Sequence, residues 1–198
     1  MPKSTRHRSS ILQGSACVDK VLELFAAIEA KELAVDGIRA MQVASLRYFD
    51  HAGSFGAVVR DVIGRPLPQA LRADSATSGG DAKFILAWRS PTETLLLSTD
   101  QRAFANLEER LADATDGCMV DQTGGLCAVR VRGARAGDLL LRLGSSASIP
   151  GVGEARGSRL ADLAVLALCV QPGTLILLIE RVHLEHFLGW IAATVADL

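Results

Sequence analysis

The chain lacks any paired cysteine motif. Cys17, Cys118, Cys127 and Cys169 stand far apart, with no C-x-x-C and no histidine at zinc-ligand spacing, which excludes a zinc ribbon and a stapled secreted scaffold. Cys127 and Cys169 lie inside apolar runs and read as buried reduced thiols. An excess of either charge is also missing: 21 Lys and Arg stand against 22 Asp and Glu, leaving a net charge of −1. Such a chain has no global field to draw nucleic acid or an anionic membrane. The basic stretch 1–10 is not followed by an apolar core and a small-residue cleavage site, so no secretory signal is expected. Residues 11–33 are interrupted by Asp19, Lys20, Glu23, Glu29, Lys31 and Glu32, too many charges for a membrane span. A cytoplasmic protein is the expectation.

Catalytic motifs are equally scarce. There is no P-loop and no G-x-S-x-G. The glycines of Gly151-Val152-Gly153-Glu154-Ala155-Arg156-Gly157 miss the dinucleotide spacing by one and read as a plain loop. Paired carboxylates, a nucleophile with its base, and a metal cluster are all lacking, so no catalytic, cofactor-binding or metal residue is expected.

What the sequence does have is apolar content, 49% of residues, and an internal echo. The stretch 84–91 (FILAWRSP), then 94–97 (TLLL) and a helical run, recurs as 165–172 (VLALCVQP), then 175–178 (LILL) and a second helical run. Pro91 and Pro172 stand 81 positions apart, and Val58, Val59 and Val62 map onto Leu139, Leu140 and Leu143 at the same offset. Each copy predicts the structure of the other. The period is too long for a solenoid and suits two half-domains paired about a pseudo-two-fold axis.

Residues 1–14 read as a flexible basic arm, and 15–198 as one α+β domain with halves at about 36–113 and 117–198. Val18, Val21, Leu22, Phe25 and Ile28 recur at helical spacing. The first half predicts a strand over 38–49, a helix over 53–63, an exposed connection over 64–81, strands 84–89 and 94–98 joined by a turn, and a helix near 100–113. The second half predicts a strand over 119–132, a helix over 134–143, a loop over 144–158, strands 163–170 and 174–180, and a helix over 182–196. The repeated unit is thus strand–helix–strand–strand–helix, with the short turns making antiparallel hairpins.

Few residues stand out as a site. His183 and His186 fall at i, i+3 on the last helix, without the further ligands a metal needs. Asp121 and Thr123 suit turn hydrogen bonding. Arg130 and Arg132 alternate with Val129 and Val131, either as the solvated face of a half-buried strand or as a contact for an acidic partner. Segments 163–170 and 175–179 are apolar without alternation, so both faces need cover, from the other half or from another polypeptide. Phe187 and Trp190 on the closing helix, with Arg6 and Arg8 of the arm, are the remaining candidates for a partner interface.

The order of several short motifs resembles a known family. Ala44-Ser45-Leu46-Arg47, 63–68 (IGRPLP), 87–97 (AWRSPTETLLL), 120–125 (VDQTGG), 131–140 (VRGARAGDLL) and 159–163 (RLADL) are together similar to the gamma subunit of heterotetrameric sarcosine oxidase, a relative of the folate-binding domain of the glycine-cleavage T-protein. The family carries Trp where this chain has Thr94, and often Pro where it has Ser10. The resemblance implies a folate-binding-domain-like fold. It further implies a non-catalytic subunit of a flavoenzyme complex that oxidatively demethylates sarcosine to glycine, with hydrogen peroxide formed and the one-carbon unit passed to tetrahydrofolate or released as formaldehyde. Alpha, beta and delta subunits would be the partners, and FAD, FMN, NAD, zinc and tetrahydrofolate would sit on them. The alternatives are a subunit of a related N-methyl amino acid dehydrogenase and a stand-alone folate-binding module of the T-protein type, for which no matching catalytic aspartate is present.

Overall fold

The computed structural model describes residues 28–78 and 82–198. The expected arm 1–14, with Arg6 and Arg8, lies outside the described residues, as does the helical pattern from Val18 to Phe25.

Among the described residues, eleven strands form two antiparallel sheets, with four α-helices on their outer faces. After β1 (Glu29–Ala30) and β2 (Leu33–Gly37), the first half runs β3 (Gln42–Tyr48), α1 (Ser54–Ile63), β4 (Ala73–Ser78), β5 (Ala82–Ser90), β6 (Glu93–Ser98) and α2 (Gln101–Leu111). Then come β7 (Gly117–Asp121) and the second half: β8 (Leu126–Arg132), α3 (Ala136–Leu143), β9 (Glu154–Leu160), β10 (Leu163–Gln171), β11 (Thr174–Glu180) and α4 (Leu184–Ala196).

The first sheet is ordered β4-β5-β6-β3-β7 and the second β9-β10-β11-β8-β2-β1. Strand for strand these are one arrangement, which is the expected pseudo-two-fold duplication. The unit contains one strand more than the sequence predicts, because β4 and β9 fall in segments whose small, polar and glycine residues read as loops. Each is an edge strand with one packed face, where Ala73, Ala155 and Leu160 are buried.

A second departure concerns the halves. The predicted single strand 119–132 is two strands in different sheets. β7 pairs with β3 in the first sheet, and β8 with β11 in the second. The chain crosses between them at Gln122-Thr123-Gly124-Gly125, where Thr123 N–H donates to Asp121 Oδ1 at 2.8 Å. Arg181 clamps the crossing by donating to the carbonyls of Gly124 at 2.8 Å and Thr123 at 3.1 Å. The same crossing occurs earlier, since β2 leaves its neighbour β3 to pair with β8. The sheets therefore exchange edge strands: the first runs over 42–121, past the expected boundary at 113, and the second joins 29–37 to 126–180.

Three cores follow from this layering. Phe55, Val59 and Ile63 of α1 and Phe104, Leu107 and Leu111 of α2 pack on Leu46, Tyr48, Phe84, Leu86 and Leu96 of the first sheet. Leu139 and Leu140 of α3 and Phe187, Leu188 and Ile191 of α4 pack on Val129, Val131, Leu175, Leu177 and Ile179 of the second. Between the sheets, Val43, Ala87, Leu95 and Leu97 meet Ala128, Leu166, Leu168, Ile176 and Leu178. The non-alternating strands are thus covered on both faces by this chain itself. Burial of this kind is the main driving force for the fold. Phe187 is fully buried in the second core, which corrects its reading as an interface residue: its ring fills the helix–sheet layer and offers nothing to a partner. Among the described residues no helix is long and apolar enough to cross a membrane.

Candidate functional site

The strand register brings together residues that no sequence spacing connects. At the end of β3, Arg47 lies opposite Glu93 of β6 on one side and Cys118 of β7 on the other. With Tyr48, Phe49, Thr92, Thr115 and Gly117 they line an open groove of about 490 Å³. Glu93 is its electrostatic centre. It accepts a hydrogen bond from Ser45 Oγ, receives Arg89 Nη1 at 3.3 Å, and lies 3.8 Å from Arg47 Nε.

Below the groove, Tyr48 Oη and Thr94 Oγ1 share a buried hydrogen bond of 3.0 Å. Burial raises the Tyr48 phenol above its ordinary range, with a further push from the Glu93 charge, against the lowering effect of the Thr94 bond. The phenol stays protonated at neutral pH, so Tyr48 is a hydroxyl held in place and not a base. Its ring lies near-parallel to Phe55 at 6.4 Å and meets His51 edge-on at 6.0 Å. Phe49, the next residue, turns outward and is 89% exposed.

Asp116, between the groove residues Thr115 and Gly117, acts as a remote helix cap. It accepts from Ser54 Oγ at 2.5 Å and from Phe55 N–H at 2.9 Å, satisfying donors at the start of α1. The Ser54 bond first, and the Phe55 bond with it, hold the carboxyl below its usual range. The groove combines charge, two aromatic side chains and a thiol.

The second half carries a counterpart. Arg130 grips Asp36 of β2 in a two-point ion pair, Nε to Oδ1 and Nη2 to Oδ2, each at 2.8 Å, and Arg132 Nη2 reaches the same Oδ2 at 2.8 Å. The hydrogen bonds to Asp36 raise the Arg130 guanidinium above its ordinary value. The acidic contact for these arginines is thus supplied by their own chain. The expected turn role of Asp121 and Thr123 holds, since Thr123 Oγ1 also accepts from Val43 N–H at 3.0 Å.

The histidine pair separates. His183 Nε2 lies 3.7 Å from Glu180, while His186 Nε2 accepts from Trp190 Nε1 at 3.2 Å. Trp190 is 51% exposed beside a shallow depression shared with His186, Gly189 and Ala193. Cys169 is buried, as expected, and burial raises its thiol, but Cys118 is exposed at the groove. Gly151–Gly153 lead into β9 and not into a helix. Among the described residues no group of three His, Cys, Asp or Glu stands close enough to hold a metal ion.

No protein-family model and no curated protein sequence matches this chain. Solved structures do. A chain of heterotetrameric sarcosine oxidase from Corynebacterium sp. U-96, solved with pyrrole 2-carboxylate, superposes with a TM-score of 0.76 at 20% identity, over 91% of this chain and 93% of that one. The glycine cleavage system aminomethyltransferase T from Bartonella henselae gives 0.58 at 13% identity, over 85% of this chain but 48% of the longer enzyme. Both share the α+β fold described above.

Proposed function

We propose that this chain is a gamma-type, non-catalytic subunit of a sarcosine oxidase-type flavoenzyme complex that oxidatively demethylates an N-methyl amino acid. One observation carries the reading. The fold likeness to a chain of heterotetrameric sarcosine oxidase extends over most of both chains, 91% and 93%, which supports two subunits of one kind. The T-protein likeness is weaker, with a TM-score of 0.58 at 13% identity, and spans about half of that enzyme's length. The motif order from Ala44 to Leu163 supports the same choice.

In this reading alpha, beta and delta chains are the partners in the cytoplasm, and the flavins, NAD, zinc and tetrahydrofolate belong to them. Trp190, on the outer side of α4, and the half-exposed Arg130 and Arg132 remain interface candidates, as do Arg6 and Arg8.

Co-expression with the adjacent genes tests the proposal. The expected result is one co-purifying complex that carries flavin and makes hydrogen peroxide from sarcosine, with association weakened when residues 1–14 are deleted. A chain that stays alone beside every neighbouring gene product, or a complex equally active and stable without it, overturns the reading. Tight binding of tetrahydrofolate by the isolated chain would favour the T-protein-type module instead.

A further inference from the structure

The two sheets match strand for strand except at one edge. In the second sheet, β1 covers the outer edge of β2, pairing at Leu33 and Ala34. β2 and β7 are equivalent at an offset of 84: Gly37 opposite Val129 corresponds to Asp121 opposite Ala44, and Ala34 opposite Arg132 to Cys118 opposite Arg47. The counterparts of Leu33 and Ala34 are therefore Gly117 and Cys118. Among the described residues no strand pairs with β7 there.

The polarity of that edge can be read from its anchors. Phe49 N–H bonds to Asp116 O at one end, and Val43 O accepts from Gln122 N–H at the other. Antiparallel ladders alternate, so Cys118 and Val120 bond inward to β3, while Gly117, Met119 and Asp121 turn their N–H and C=O groups outward. Natural edges are guarded by charged side chains, Lys above all, by Pro or by a bulge; residues 117–121 (GCMVD) contain no Lys, Arg or Pro, and their one charge, Asp121, stands at the end. The groove opens at these same residues and presents the exposed Phe49 ring. Arg47 lines it with a side chain 61% exposed and shares Glu93, 16% exposed, with Arg89 from outside the groove, so one carboxylate faces two guanidinium groups.

We infer that the outer edge of β7 receives an extended segment of a partner polypeptide, which adds a sixth strand to the first sheet and sets an acidic side chain against Arg47. Main-chain bonds to Gly117, Met119 and Asp121 give such a contact its affinity, and the groove beside Phe49 gives it side-chain selectivity. The inference rests on the proposed role as a subunit and names where one partner docks.

The test is residue-resolved hydrogen–deuterium exchange on the full chain, free and in the co-purified complex. Amides of Gly117, Met119 and Asp121 should slow by about tenfold or more on assembly, while those of Cys118 and Val120 change little. Arg47→Glu should weaken association by about tenfold, and Arg102→Glu on α2 should leave it unchanged. If a complex forms and the three outward amides exchange as fast as in the free chain, the docking inference fails and the subunit role stands. If they are already slow in the free chain, as a monomer or a dimer, then the chain's own residues 1–27 or a second copy hold the edge, and the inference is overturned. If no complex forms, both readings fall.

Discussion

The two halves of the molecule share a strand order but secure their polar ends in different ways. In the first, Glu93 lies under two exposed arginines beside an open groove. In the second, Asp36 sits on an exchanged strand and is held by Arg130 and Arg132, with β1 outside it. Among the described residues, the same duplicated frame therefore presents one open edge and one covered edge. Helix starts differ likewise: α1 is capped by Asp116 from across the sheet, whereas α3 begins at Arg135 with no side-chain cap. Duplication set the cores, and divergence acted on the rims.

The largest effect should come from emptying a core on either side. Phe55→Ala and Phe187→Ala each remove a fully buried ring and should cost about 3–5 kcal/mol. Because the sheets exchange β2 and β7, either change should lower one shared transition. The two tryptophans report on it independently, Trp88 on β5 and Trp190 on α4. Single-tryptophan variants should give superimposable urea curves, and two separated midpoints would show that the halves unfold alone.

The next effect belongs to the second half only. Gly133 corresponds to Tyr48, but it has φ of 122°, and a Cβ placed there would lie 2.0 Å from Glu32 O. Gly133→Ala should cost about 2–3 kcal/mol, read by thermal melting. The matching change in the first half is milder. Tyr48→Phe leaves the buried Thr94 hydroxyl without its partner and should cost about 1–2 kcal/mol, with Tyr48→Phe/Thr94→Val recovering part of it.

The smallest effect is a pH slope confined to the first half. The Asp116 carboxyl is depressed in the folded state, so its contribution is complete above its ordinary value of 3.8 and is lost as pH falls through the lower folded value. Asp116→Asn should lower stability at pH 7, where the carboxylate's contribution is complete, and flatten the decline below about pH 4. Urea midpoints across that range measure it, and an unchanged slope would remove Asp116 from the account.

Much of this frame was legible in the sequence because the apolar runs at 84–97 and 165–178 repeat with their prolines. The helices were legible for the same reason: Val59 and Leu140 each recur on a buried face. β4 and β9 were not, since an edge strand such as 73–78 (ADSATS) needs apolar residues on one face only and pairs through its backbone. The break between β7 and β8 hid because Val120 and Cys127 both suit strands, and which sheet each joins is a tertiary choice. Phe187 and Trp190 were indistinguishable on an apolar helix until packing set one inward. The groove was invisible for a further reason. Arg47, Glu93 and Cys118 become neighbours only through register, and no linear spacing encodes it.

The exchange of edge strands also sets a schedule for synthesis. Asp36 emerges from the ribosome 94 positions ahead of Arg130, which at about 5–20 residues per second is a wait of roughly 5–20 s. Throughout it the strand made among the first has no sheet to join, because β8 does not yet exist. Closure of the second sheet thus waits for β8, and truncated nascent chains ending before residue 126 leave β2 without that partner strand.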